Sequence, residues 1–161
     1  MRLYFSPPTG PRVFTIVAAL ALCACTAEKP VKDSLAEAEA ALTKNEPATV
    51  LIEAKNVLQI DPESAPARRL LGLALLRTGD AAGAETALRR ALKLGQASEQ
   101  VVPALVRSLL AQGQFKPLTD EFADTTLAAH AAQAELKTAL AAAYRALDEA
   151  ALSEAALAAA L

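Results

Sequence analysis

The chain has little of what strands and catalytic sites are built from. Of its 161 residues only 4% are aromatic, Trp is absent, and there is a single His and a single Met. Val, Ile, Tyr and Trp, which favour strands, are scarce, while Ala and Leu dominate a 53% hydrophobic composition. Both are strong helix formers. An all-α fold follows. The lone His130 stands between Ala129 and Ala131 near a helix start, so metal ligation or His-based catalysis lacks a second member. No Gly-rich phosphate loop and no nucleophile elbow is present, and the carboxylates are scattered at helical spacing, as on a solvated face. The expectation is a protein that is not an enzyme and that uses no cofactor or metal.

Cysteine is equally sparse. Cys23 and Cys25 are the only two, and both lie in an N-terminal segment unlike the rest. Arg2 and Arg12 are the only charges before Glu28, and the apolar run from Val13 to Ala24 is too short for the ~20 residues of a spanning helix but suits a secretory signal. Leu22-Cys23-Ala24-Cys25 fits a lipobox, in which Leu, a small residue and Ala or Gly precede the Cys that becomes the acylated first residue. Cys25 fits better than Cys23, which would put Leu22 where a small residue belongs. The expected organisation is a lipoprotein signal peptide over 1–24, lipidation at Cys25, a tether over 25–33 and a helical array over 34–161. Acyl chains contributing ~0.8 kcal/mol per buried CH₂ make a near-permanent anchor when two or three act together. Thr26 in place of the Asp of an inner-membrane retention signal points to the outer membrane. Cleavage before Cys25 removes two bases and no acid, leaving 14 basic and 18 acidic side chains. That balance gives no electrostatic footprint for nucleic acid.

The positive signal is a period. Gly79 and Gly113 are 34 residues apart, and Leu71, Leu75, Leu76, Gly79 and Leu88 fall in register on Leu105, Leu109, Leu110, Gly113 and Phe122. A period of about 34 residues is that of stacked helix–turn–helix units, none of which can bury its apolar face alone. The units are placed at about 31–64, 65–98, 99–133 and 134–161, the last incomplete. In the clearest, helix A runs over Arg68–Thr78 and carries an apolar stripe of Leu70, Leu71, Ala74 and Leu75. Gly72, costly inside a helix by about 1 kcal/mol, is read as permitting close approach of helix B. Gly79-Asp80 closes one helix and caps the next. Helix B, Ala81–Leu94, turns Ala84, Leu88, Ala91 and Leu92 to the core, and Gly95 ends it.

These residues carry a resemblance to the tetratricopeptide repeat (TPR). Leu71-Gly72, Leu75, Gly79-Asp80, Ala84, Leu88 and Ala91 supply its pattern in order. The third unit keeps Leu105, Leu109, Gly113, Leu118 and Phe122, with Val106 and Gln114 departing. The first keeps Ala38, Val50, Val57 and a terminating Asp61-Pro62, with Asn45-Glu46 in place of Gly-Asp. The fourth, shifted by one, offers Leu140-Ala141, Tyr144, Leu157 and Ala160-Leu161. The implied fold is a TPR-type α-solenoid of about 3.5 repeats. Longer strings, above all Lys55-Asn56-Val57-Leu58-Gln59-Ile60-Asp61-Pro62, resemble the N-terminal part of the TPR-repeat lipoprotein of the PEP-CTERM/exosortase system over residues 15–161. That resemblance implies an exported envelope scaffold of Gram-negative bacteria in protein sorting or exopolysaccharide export. Alternatives are a TPR lipoprotein serving outer-membrane protein insertion or pilus assembly, and the docking arm of a longer enzyme. Members of the family are several times longer, and the last unit stops on Ala158-Ala159-Ala160-Leu161 without a polar cap, so a fragment is expected, with a homodimer seam at Leu157 and Leu161 as the competing idea.

The register turns one wall of the A helices inward. Arg69, Leu73, Leu76 and Arg77 of the second unit, Arg107 and Leu110 of the third and Arg145 of the fourth are the expected partner-binding groove. Arg binds carboxylates bidentately, so these residues suit an acidic segment of another envelope protein; the alternative is a solvated charged face. The Lys/Asn/Arg set of chaperone-binding TPR clamps is not found. No small-molecule substrate is expected. Arg89-Arg90 on helix B is read as facing solvent.

Overall fold

The computed structural model describes residues 30–160; the signal segment, Cys25 and Leu161 lie outside the described residues. Among the described residues there are eight helices and no strand. They are α1 (Val31–Thr43), α2 (Pro47–Ile60), α3 (Ala65–Thr78), α4 (Ala81–Lys93), α5 (Ser98–Ala111), α6 (Phe115–Phe122), α7 (His130–Ala146) and α8 (Ala150–Ala158). None is long and apolar enough to cross a membrane.

Helices pair in sequence order, α1 with α2, α3 with α4, α5 with α6 and α7 with α8, and each pair leans on the next. The odd-numbered helices also touch one another along the array: α1 meets α3, α3 meets α5, and α5 meets α7. The even-numbered helices make no such contact with each other. One row is therefore tighter than the other, and the array curves towards the odd-numbered side. The chain is an all-α solenoid of antiparallel helix pairs.

The turn inside each pair has one chemistry. Asn45, Gly79, Gly113 and Asp148 all take left-handed backbone, with φ of 60°, 91°, 70° and 64°. In each case the next residue donates its N–H to the carbonyl five back: Glu46 to Ala41, Asp80 to Leu75, Gln114 to Leu109 and Glu149 to Tyr144, all at 2.9 Å. This is the bond that satisfies an orphan carbonyl at a helix end. Asn and Asp reach the left-handed region more readily than other side chains, which explains how Asn45 replaces glycine. Asp80 then caps α4, accepting from the Gly83 N–H at 2.8 Å.

Helix α3 begins three residues earlier than the apolar stripe alone suggests. Ser64 Oγ accepts from the Ala67 N–H at 3.5 Å, and Pro66 falls in the first turn, where a missing N–H costs nothing. Helix α4 ends at Lys93, and Gly95 follows with φ 87°.

The core is narrow and falls into two clusters, one where α1, α2 and α3 meet and one running from α4 to α8. Ala38, Val50, Val57, Leu70, Ala74, Ala84, Leu88, Ala91, Leu105, Leu109, Leu118, Leu136 and Leu140 are all buried at 1% exposure or less. Gly72 behaves as its position in the sequence suggests, since a Cβ there would sit 2.5 Å from Leu88 Cγ and 3.2 Å from the Ala84 carbonyl oxygen. In the third pair Val106 replaces that glycine and is itself buried. Its partner α6 packs less closely and spans only eight residues. The fourth pair differs from the second in what it covers. Leu157, in register with Leu88, is 38% exposed, while Ser153 and Ala156 supply the buried face of α8. Leu88 meets α3 at Gly72 and belongs to the core cluster that includes α5, whereas no helix follows α8 among the described residues. Ala160 likewise lies past the helix end, in a turn.

Candidate binding groove

The tight row brings the A-type helices α3, α5 and α7 side by side, and their exposed faces form a trough. Near the N-terminal ends of α5 and α7 it has a volume of ≈ 330 Å³ and is walled by Leu73, Glu99, Gln100, Pro103, Arg107 and Glu135. Towards their C-terminal ends it continues for ≈ 350 Å³ between Arg107, Leu110, Glu135, Thr138, Ala139 and Ala142. Arg107 and Glu135 wall both stretches. N-terminal residues of both helices share one stretch and C-terminal residues the other, so α5 and α7 run in the same direction.

Small residues make the space. Ala134, Ala139 and Ala142 on α7 stand where larger side chains would fill it. Pro103 lies inside α5. It has no N–H to give the Glu99 carbonyl one turn back, and Glu99 lines the same stretch.

Of the residues the register turns inward, the trough gathers Leu73, Arg107 and Leu110. The other arginines are placed differently. Arg69 pairs with Glu39 on α1, and Arg77 donates from Nη1 to the Leu42 carbonyl at 2.7 Å. Both bind α3 to the hairpin before it. Leu76 is half-buried and packs against the main core. Arg145 is exposed on the last turn of α7 and walls neither stretch. Cys25 lies outside the described residues. His130 is exposed at the first position of α7. No group of three or more His, Cys, Asp or Glu that could hold a metal occurs among the described residues.

The sequence alone does not single out Glu135, Thr138 and Ala142. The signal was available, because Leu73, Arg107 and Ala142 occupy one register position, as do Arg69, Pro103 and Thr138. Carrying the register across the one-residue shift into α7 finds Thr138 and Ala142.

On the opposite face Arg89 and Arg90 are engaged. Arg89 donates twice to Glu121 on α6, at 2.7 and 2.8 Å, and through Nε to Glu85 at 2.8 Å. Gln112 and Gln114 donate to the other oxygen of Glu85 at 2.8 and 3.3 Å. Arg90 reaches Glu63 at 2.6 Å. Burial works against the Glu85 carboxylate, but the hydrogen bonds from Arg89 and Gln112 hold its pKa below the ordinary value. The Glu121 carboxylate, with Glu85 in support, raises that of Arg89. Since α4 and α6 do not pack directly, this bidentate pair and its amide neighbours link the second hairpin to the third on the loose side of the array.

No protein-family model matches the chain, and no curated protein matches it significantly. Fold and trough thus define a class only: a helical-hairpin solenoid with an open, partly apolar channel along its tighter face.

Proposed function

We propose that this chain is a TPR-type scaffold of the bacterial cell envelope, held at the membrane through acylated Cys25, which captures a segment of another protein along α3, α5 and α7. The trough carries the reading. Arg107 borders both of its stretches, its walls are mostly small or aliphatic, and it lies open along α3, α5 and α7. Such a surface recognises side chains and main chain presented by a polypeptide. The chain is read as a binding protein and not an enzyme. The string from Lys55 to Pro62 and the lipobox direct the proposal to the exosortase/PEP-CTERM sorting or exopolysaccharide export machinery, on the outer membrane.

Two measurements test this. Cys25→Ser should move the chain from the membrane fraction to the soluble periplasmic fraction; unchanged membrane association removes the anchor. A photo-crosslinking residue at Thr138 should give a discrete adduct with a polypeptide of the sorting or export machinery, and Ala142→Arg, at an exposed position in the trough, should abolish it. An adduct equally strong from Ile52 on α2, or indifferent to Ala142→Arg, ends the groove reading.

A further inference from the structure

The trough holds a cation and an anion that have not found each other. Arg107 and Glu135 wall both of its stretches and are exposed. Neither has an ion pair or hydrogen bond with any described residue. Elsewhere on the array opposite charges that meet are joined: Arg69 with Glu39, Arg89 with Glu121, Arg90 with Glu63 and Lys116 with Asp120.

The surrounding charges nearly cancel. Helix N-termini carry roughly half a positive charge each, and the starts of α5 and α7 both lie at the Glu99 end. Glu99 is in the first turn of α5, while α7 has no acid in its first turn. One carboxylate against two helix ends leaves little net field. What remains is Arg107 and Glu135, a donor fork and an acceptor that border the same two stretches. Below them lies an apolar floor of Leu110, Ala139 and Ala142. The expectation of an acidic guest for four arginines therefore does not carry over, because Arg69 and Arg77 are held by α1.

Building on the groove reading above, we infer that the trough takes an uncharged polypeptide stretch, gripped by its amides. Arg107 donates to a carbonyl of the guest, Glu135 accepts from an N–H, and an aliphatic side chain of the guest enters the space beside Leu110. Amide groups match a donor and an acceptor together. A carboxylate would satisfy Arg107 and face Glu135, and an ammonium group would do the reverse.

The test uses the full chain in detergent micelles and three pools of fluorescent, end-blocked peptides. Each pool has Leu at its centre; the flanks are Asn, Gln and Ala in one, with added Glu or added Lys in the others. The expected result is anisotropy binding of the neutral pool several-fold tighter than either charged pool, little weakened by salt, and lost with Ala142→Arg. Arg107→Met and Glu135→Gln should each weaken it about ten-fold, the worth of a charge-assisted hydrogen bond. The exchange Arg107→Glu/Glu135→Arg should restore most of the binding, because an amide ribbon can reverse its direction. Tighter binding of the Glu or Lys pool, sensitive to Ala142→Arg, overturns this inference and leaves the groove reading standing. If no pool binds in an Ala142-sensitive way, both fall.

Discussion

Gly72 and Leu88 lie in direct contact where α3 crosses α4: a single added carbon on Gly72 would stand 2.5 Å from Leu88 Cγ. Both residues are buried, and the Ala84 carbonyl closes the same spot from the backbone side. Leu88 cannot yield by swinging a free end aside, because its branch point makes the contact.

Gly72→Ala should therefore destabilise the array although alanine is the better helix former. The propensity gain is about 1 kcal/mol, against an overpacking cost of typically 1–3 kcal/mol or more. Urea unfolding followed by circular dichroism should show a net loss of up to ~2 kcal/mol. A gain in stability would mean that α3 and α4 are not this close.

The four left-handed turn residues make a matched set. Gly113→Ala should cost ~1 kcal/mol, the penalty for a Cβ in that region. Asp148→Gly should do the opposite, raising stability by a few tenths of a kcal/mol, since it relieves strain but loosens the unfolded chain. Thermal unfolding of the two variants should shift in opposite directions; shifts of the same sign would count against a shared turn geometry.

Acid should loosen the link between the second and third hairpins. Glu85 has a pKa depressed below its ordinary 4.5, so its contribution is fully present above that value and is lost as pH falls through the lower, folded-state pKa. Stability measured from neutrality downward should decline below about pH 4.5, and Glu85→Gln should flatten that decline while lowering stability near neutrality. Parallel curves for the two proteins would show that the carboxylate is not held by Arg89 and Gln112.

Core truncation should separate buried from merely apolar positions. Leu140→Ala, at a residue 1% exposed, should cost ~2–5 kcal/mol. Leu157→Ala, at the half-open register equivalent of Leu88, should change stability by no more than about 1 kcal/mol. Equal losses would place Leu157 in a covered interface, as a homodimer seam requires, and sedimentation would then report a dimer.

Much of this architecture was legible in the residues, and the turns show why. Asn45 was readable as a substitute for glycine because left-handed backbone is a local property, settled by the residue and its helix end. The burial of Leu70, Ala84, Leu88, Leu118 and Phe122 was readable for a similar reason, since a helix repeats its faces every few residues. The early start of α3 was less visible, because Pro66 looks like a breaker until Ser64 is seen to cap it. The exposure of Leu157 was less visible, because the register places it on Leu88 while its cover depends on a neighbouring helix and not on its own.

By itself the sequence determined the helical class, the pitch of the hairpins and the residues that close and cap them, because each depends on bonds within one or two turns of chain. Only the tertiary structure decided which charges are spent. Arg69 and Arg77 reach back to α1, Arg89 crosses to α6, and Arg107 and Glu135 are left facing the trough. Ion pairing across some 30 residues depends on which helices become neighbours and how closely their backbones approach, and no local pattern encodes that distance.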